Sequence, residues 1–370
     1  MYSESDLENA VAAGALTPAQ AESFRGYVAA GRHAPMVDEE HFRLLTGFND
    51  VFVGIAAAIM LIAVGALGYY VGPHVGDDGP TPFMGLFVAA TAWGLAEFFT
   101  RQRRMALPSI ILLLAFVGGV FGTIVFGAGT ALGDAYFEEN GSAVAIVISL
   151  GAAVAAAAAW MHWRRFRVPI TVAVGAAAVV ALVLGLLASG YVTPDMNDAD
   201  AERMKNVLEP VALLLGLGTF LLAMRWDSSD PRRETRRSDV AFWLHLLAAP
   251  LMVHPIFDLL GLTQGAATAL GAIAVVVLYV GLGMVALAID RRALLVSALA
   301  YVLFALNRLF ETYGVVELNF ALTALVIGSS LLLLSAFWAS ARRAVVNPLP
   351  EGLRARLPVL DRSAAVPLPA

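Results

Sequence analysis

Residues 51–71 read VFVGIAAAIMLIAVGALGYYV, an uncharged run that determines the structural class of this chain. A helix needs about 20 mostly apolar residues to cross a hydrocarbon core roughly 30 Å thick, so this run predicts a transmembrane helix. Nine more apolar runs follow it. The ten predicted spans are residues 51–71, 83–100, 107–132, 142–163, 168–189, 207–224, 240–260, 265–289, 294–313 and 317–340.

Composition agrees with a membrane protein. Hydrophobic residues make up 59% of the chain and charged residues only 14%, whereas a soluble domain carries more charge on its surface. A β-barrel would show weakly alternating segments instead of continuous apolar runs. We therefore predict an all-α, polytopic transmembrane bundle of about ten spans that occupies residues 47–341.

The basic residues lie almost wholly on one side of the predicted spans. Of the 24 basic residues, Lys205 is the only lysine, and all but Arg203, Lys205 and Arg308 fall before the first span, after an even-numbered span or in the tail. The loops on the other side are acidic, as at Asp77 and Asp78. By the positive-inside rule, both termini are predicted to be cytoplasmic, in the inner membrane of a bacterium.

Several classes of function are disfavoured by what the sequence lacks. There is no cysteine, which excludes disulfides and cysteine ligands. The first 50 residues have no apolar core, so we expect no cleaved signal peptide. Hydrolase, kinase and nucleotide-binding motifs are missing, so we expect no enzyme and no cofactor. Basic residues dispersed among short loops do not suggest nucleic-acid binding.

Residues 1–46 are predicted to form a small cytosolic helical hairpin and an interfacial helix. Thr17, Pro18 and Gln20 have the pattern of a helix start, namely an N-cap, a first-turn proline and an N3 glutamine. This unit is too small to bury a core of its own, so we expect it to dock on the cytosolic loops or on a cytosolic partner. At the other end, residues 342–370 contain five prolines after Asn347, which predicts a mobile tail.

The chain resembles a set of uncharacterised bacterial inner-membrane proteins. The stretches that carry the resemblance are LENAVAAGALTPAQAESFRGYV at 7–28, FNDVFV at 48–53, AEFFTRQRRMALPS at 96–109 and FWLHLLAAPLMVHP at 242–255. The resemblance implies an N-terminal helical hairpin followed by eight to ten spans. It implies no activity and no residue roles.

Polar and ionisable residues inside predicted spans are the candidate functional residues, because an ionisable group costs about 2.5–3.5 kcal/mol to insert at mid-bilayer. His254 and Asp258 are four residues apart on the seventh span and share one face of the helix. The other candidates lie towards the same outer side of the sixth and ninth spans: Glu209, Asn307, Arg308 and Glu311.

Two interpretations of this set stay open. In the first, the residues line a polar cavity that opens to the outer face, His254 and Asp258 exchange protons, and Arg308 supplies the counter-charge or binds an anionic solute. In the second, Arg308 pairs with Glu311 at the headgroups and His254 is a structural histidine beside Pro255. His245 precedes His254 by nine residues, which places them on opposite faces of an ideal helix, so no metal site is predicted.

The best functional hypothesis from sequence is a secondary transporter, in a proton-coupled form on the first interpretation. It would move a small solute or protons through a lipid bilayer. Five spans in each half would allow an inverted repeat. The alternatives are a membrane scaffold or signalling component that acts through its N-terminal hairpin, and a lipid-modifying enzyme. Close helix packing is expected at the small-residue pairs Gly118/Gly122 and Gly129/Gly133.

Overall fold

The computed structural model describes residues 4–31, 48–231, 233, 235–259, 269–292, 294–295, 299, 303 and 319–360, and this part of the chain is helical without strands. The all-α prediction is confirmed. The helices are α1 (Glu4–Ala12), α2 (Pro18–Gly31), α3 (Phe48–Tyr69), α4 (Pro82–Ala96), α5 (Ala106–Leu132), α6 (Asp134–Glu139), α7 (Ser142–Phe166), α8 (Ile170–Ala188), α9 (Asp198–Ser228), α10 (Arg236–Leu259), α11 (Ala269–Ile289), α12 (Asn319–Ala336), α13 (Trp338–Val346) and α14 (Glu351–Arg354). A π-helical turn, Glu97–Gln102, continues α4.

The chain is an integral membrane protein. Within the described residues, seven helices are long and apolar enough to cross a bilayer, and they coincide with the first seven predicted spans. Helices α11 and α12 overlap the eighth and tenth predicted spans. The ninth, 294–313, lies largely outside the described residues, so ten spans and the inverted repeat stay predictions.

Helices α3, α4, α5, α7 and α8 form an N-terminal bundle in which α4 and α5 cross at glycine. A Cβ on Gly85 would lie 2.4 Å from the Gly119 carbonyl oxygen, and a Cβ on Gly119 would lie 2.6 Å from the Gly85 carbonyl oxygen. The predicted pair Gly118/Gly122 is therefore not the contact, since a Cβ on Gly118 would meet nothing within 4 Å. Gly119 lies on the face of α5 that packs against α4.

The core of the N-terminal bundle contains a buried histidine among aromatic rings. His162 lies 4.6 Å from Phe166, 5.9 Å from Phe116 and 6.2 Å from Trp93, measured between ring centroids. Its Nδ1 approaches the Thr171 hydroxyl at 3.4 Å. Rings at this distance pack in tilted or edge-on geometries and contribute to core stability.

Helices α9 and α10 are antiparallel neighbours that also pack against α8. They pack closely at Gly216, where an added Cβ would lie 2.8 Å from the Leu251 carbonyl carbon. Helix α9 extends well beyond the predicted span 207–224 at both ends. Its start is fixed by Asn197, whose side chain accepts from the backbone N–H groups of Ala199 and Asp200. Charged residues before and after the apolar segment therefore lie on the helix.

The short N-terminal helices α1 and α2 contact each other. Gln20 N–H donates to the Thr17 hydroxyl at 3.2 Å, and Thr17 N–H donates to Gln20 Oε1 at 2.9 Å. This reciprocal pair is the capping box that the sequence predicts at Thr17. Leu7 and Ala21 are buried within the hairpin.

Part of the predicted mobile tail is folded back on the bundle. Arg342 lies inside α13, and its guanidinium donates to the carbonyl oxygens of Pro358 at 2.6 Å and Val359 at 3.2 Å. Val359 N–H also donates to the Pro231 carbonyl at 3.3 Å. Arg342 thus holds residues 358 and 359 against the bundle, residues 361–370 lie outside the described part of the chain, and the mobility of the tail stays a prediction.

This contact predicts protease sensitivity. Replacing Arg342 by alanine removes two charge-assisted hydrogen bonds, each of which contributes about 1.5–3 kcal/mol when buried. We expect tryptic cleavage after Arg354 or Arg356 to become about tenfold faster or more, since opening of the segment controls access. The neighbouring exposed residue gives the control, Arg343→Ala, and mass spectrometry identifies the cut. Equal cleavage rates in both variants would contradict the role of Arg342.

Candidate functional site

The first cluster of ionisable side chains links α9 to α10 near the start of α9 and the end of α10. Lys205 Nζ lies 2.8 Å from Asp258 Oδ2, and His254 Nε2 lies 3.4 Å from Glu209 Oε1. Lys205 and Glu209 are one turn apart on α9, as His254 and Asp258 are on α10. We call these four residues the acidic-end pairs, because the acidic loops lie at this end of the bundle.

Three of the predicted site residues therefore lie together in the structure: Glu209, His254 and Asp258. The other three, Asn307, Arg308 and Glu311, lie outside the described residues, so the predicted counter-charge at Arg308 is not tested. Lys205 was missed by the sequence analysis, which left it among the loops. The available signal was its position four residues before Glu209, in a chain whose other basic residues are all arginine.

The contacts of His254 and Asp258 differ in kind. The Asp258 side chain is mostly buried against Lys205, while the His254 side chain is 53% exposed. The second carboxylate oxygen of Glu209, Oε2, is buried and has no hydrogen-bond partner within the described part of the chain. A buried carboxylate oxygen without a hydrogen-bond donor is unusual.

Prolines interrupt the hydrogen bonding of both helices near these pairs. Pro210 follows Glu209 in α9, and Pro250 and Pro255 lie inside α10. A proline has no N–H, so the carbonyls of Leu246 and Leu251 cannot receive the usual bonds from residues 250 and 255. Such interruptions let a helix depart from ideal geometry.

Both histidines of α10 nevertheless contact α9. Nine residues separate His245 from His254, a spacing that places them on opposite faces of an ideal helix. In the structure α10 is continuous, and yet both imidazoles reach carboxylates of α9: His254 contacts Glu209, and His245 contacts Asp227.

A second cluster lies at the opposite, arginine-rich end and is buried. We call it the arginine-end network; its residues are Asp227, Arg233, Ser238, His245, Asp290, Arg291, Trp338 and Arg342. Asp227 accepts from His245 Nε2 at 3.0 Å and from Arg291 Nε at 3.2 Å, both at Oδ2. Arg291 Nη2 donates to Asp227 Oδ1 and to the Ser238 carbonyl. These contacts join α9, α10 and the residues that follow α11.

The second half of the network is centred on Asp290. Its carboxylate accepts from Arg233 Nη1 at 2.9 Å and from Trp338 Nε1 at 2.8 Å, and Arg342 Nε lies 3.7 Å away. Arg233 Nη2 also donates to the carbonyls of Ile289 and Asp290, which satisfies carbonyls at the C-terminus of α11. Asp290 and Arg233 both have φ near +55°, a strained conformation that the surrounding contacts maintain.

Burial and charge make this network energetically important. Arg233 lies in the α9–α10 loop, where burial and repulsion from Arg291 lower its pKa to about 10, while Asp290 opposes that shift. Arg233 therefore remains protonated at neutral pH. Buried charges are tolerated only with partners, and here three arginines share two carboxylates.

Sequence reasoning missed this network. It attributed Arg233, Arg291 and Arg342 to membrane orientation alone and did not single out the acids among them. The signal was present: Asp227 and Asp290 lie on the arginine-rich side, each at the end of an apolar helix. Two of their arginine partners are far away in sequence: Arg291 is 64 positions from Asp227, and Arg233 is 57 positions from Asp290.

No family model matches this chain, and no curated protein or solved structure is significantly similar to it. The resemblance to inner-membrane proteins with an N-terminal hairpin therefore stays a prediction. Any function must be argued from the two clusters themselves.

A third ionic contact is exposed. Glu97 pairs with Arg101 at 3.3 Å and more closely with Arg165 of α7 at 2.7 Å. Arg164 and Arg167 lie over the rings of Trp160 and Trp163. These contacts have the character of an interfacial belt, in which charged and aromatic side chains meet headgroups, and they suggest no chemistry.

Proposed function

We propose that this protein is a proton-coupled secondary transporter of the bacterial inner membrane, with both termini cytoplasmic, in which the acidic-end pairs exchange protons with the outer side. The observation that supports this most directly is the pairing of Glu209 with His254 on two helices that are long enough to cross a bilayer. Ionisable residues in spans carry an insertion cost, and transport pathways are where that cost is commonly retained.

The chemistry of the pair suits a proton step. The unperturbed pKa of histidine lies near neutrality, so a modest change in surroundings alters its charge. Glu209 has one buried oxygen without a donor, which can take up the proton that His254 releases. Lys205 and Asp258 lie one turn nearer the acidic end of α9 and α10, where their opposite charges pair at 2.8 Å.

The second function that the sequence allows is a scaffold whose spans only anchor the N-terminal hairpin. Transport requires water at His254, whereas an anchor requires only a dry bundle. Accessibility to water at this position therefore separates the two hypotheses.

The absence of cysteine from the chain makes that test direct. We expect single cysteines at positions 254 and 258 to react with a membrane-impermeant thiol reagent added to the acidic-end side of the membrane. The control is Leu214→Cys, deeper on α9 and 67% exposed on the protein surface, where lipid should protect it. Protection at 254 together with reaction at 258 would contradict the transport pathway and favour the scaffold.

A further inference from the structure

Helix α10 repeats one arrangement at two depths: a histidine paired with a carboxylate of α9. His254 meets Glu209 towards the acidic end, and His245 meets Asp227 at 3.0 Å towards the arginine-rich end. The two histidines are nine residues apart, or about 14 Å along an ideal helix. They differ in exposure, because the side chain of His254 is 53% exposed and that of His245 is fully buried.

The contacts of His245 indicate whether its imidazole is neutral or protonated in this conformation. Asp227 also binds Arg291, which keeps the carboxylate ionised, so His245 donates to it from Nε2. The other ring nitrogen, Nδ1, is buried and has no hydrogen-bond partner within the described residues. An imidazolium would carry a second N–H there without an acceptor, at a substantial cost. The buried ring is therefore neutral.

Protonation of His245 would act on the contact beside it. His245 Nε2 and Arg291 Nε share one oxygen of Asp227. The charged groups that face the ring are Asp227 from α9, Arg291 from the residues after α11, and Arg233 from the α9–α10 loop. A positive charge on the ring would compete with Arg291 for the carboxylate and repel both arginines, which favours separation of Arg291 from Asp227.

The backbone between the two histidines also offers polar atoms. Pro250 and Pro255 leave the carbonyls of Leu246 and Leu251 without their usual helical donors. These oxygens lie on α10 between the two histidine–carboxylate pairs. A water molecule that entered this part of the hairpin would find hydrogen-bond acceptors there.

We propose that His245 and Asp227 form a second proton-binding site on the α9–α10 hairpin, occluded in this conformation and opened towards the arginine-rich end when Arg291 leaves Asp227. In the open form, Nδ1 of His245 takes a proton from water or returns one to it, and no other bond changes. This inference rests on the proposed transport function and supplies its inner exchange site.

The test uses a small reporter next to the site in the full chain. Ala241 lies one turn from His245 on the side of the arginine-rich end and is 0% exposed. We expect Ala241→Cys, in vesicles that present the arginine-rich end to an impermeant methanethiosulfonate reagent, to react about tenfold faster or more at about pH 5.5 than at about pH 8. Each rate is normalised to the same variant in denaturing detergent at that pH, which removes the intrinsic pH dependence of the thiol.

Two variants make the result specific. Adding His245→Gln should abolish the pH response of Ala241→Cys, and Ala159→Cys, 1% exposed in the N-terminal bundle, should stay unreactive at both pH values. An Ala241 cysteine that is equally slow at every pH, or a pH response that survives His245→Gln, would overturn the proposal.

If His245→Gln does not fold, the protonation of His245 can be followed directly in the protein with its native histidines. In ¹⁵N-histidine spectra of the otherwise native chain, His245 should change from a neutral Nε2–H ring to an imidazolium over the pH range in which Ala241→Cys opens. A ring that stays neutral throughout would refute the site. Failure of the transport function appears elsewhere, as protection of a cysteine at 254 from the acidic-end side, whatever happens at position 241.

Discussion

Replacing Gly119 by valine should destabilise the fold by about 3 kcal/mol, while the same change at its neighbour Gly118 should have little effect. The physical reason is the crossing of α4 and α5. A Cβ at position 119 would lie 2.6 Å from the Gly85 carbonyl oxygen and 2.8 Å from the Ala89 nitrogen, and both atoms belong to backbone. Backbone cannot rotate away as a flexible side chain can, so the helices must separate.

Gly118 is a closely matched control. It lies on the same helix, differs by one position in depth and undergoes the same loss of glycine, but a Cβ there would meet nothing within 4 Å. Thermal unfolding in detergent, followed by near-ultraviolet circular dichroism, compares the two variants. Equal loss of stability at both positions would mean that helix propensity, not the crossing, governs the effect.

The reciprocal glycine gives a second check. Gly85→Ala and Gly119→Ala each place a Cβ into the same crossing, so their effects should not add. Once one methyl group has forced α4 and α5 apart, the second meets less resistance. Additive losses would show that the two glycines act at separate contacts.

The fold could be predicted largely from sequence, because the length of an uninterrupted apolar run is enough to predict a transmembrane helix. The first seven predicted spans match seven helices within the described residues. The main difference is α9, predicted at 207–224 and observed at Asp198–Ser228. Hydropathy detects only the apolar part of a helix, and Lys205 and Asp227 lie outside that part. The capping residue Asn197 marks the true start, since its side chain bonds the first turn.

The sites could be predicted only in part, because their partners come from different helices. Glu209, His254 and Asp258 were found because ionisable groups stand out in an apolar run. The buried role of Arg291 could not be found in this way, because the positive-inside rule already accounts for an arginine at that end of a span. Only the structure shows that Asp227 binds it across 64 positions of sequence. Because membrane orientation already explains Arg291, the sequence alone gives no reason to assign it a second, structural role.

The second large effect is expected at Asp227. Replacing it by asparagine leaves the Arg291 guanidinium buried without an anion, and it turns one of the two acceptor oxygens shared by Arg291 and His245 into an amide donor. Breaking a buried ion pair from one side costs about 3–5 kcal/mol, because the remaining charge cannot be solvated. We expect a corresponding loss of thermal stability in detergent, large enough to reduce the amount of folded protein in the membrane.

Glu97→Gln is the matched control for charge. Glu97 also lies between two cationic side chains, Arg101 and Arg165, but at a partly exposed position. Water and salt screen such a pair, so its loss should change stability only slightly. Similar losses from Asp227→Asn and Glu97→Gln would contradict the importance assigned to burial.

Removing both charges of the buried pair should restore stability. In Asp227→Leu/Arg291→Met, neither partner is left as an isolated charge, and apolar side chains of similar volume fill the space. We expect the double variant to be more stable than Asp227→Leu alone, with the coupling free energy obtained from the two single variants and the double.

In that case the arginine-end network would be dispensable for folding, and its retention would require another cause. Proton binding at His245 supplies that cause. A hydrophobic residue at position 227 would leave the His245 ring without its carboxylate partner, and the proposed proton-binding site would be lost. If the double variant is as unstable as the single one, the network is needed for the fold itself, and its charges are explained without any transport.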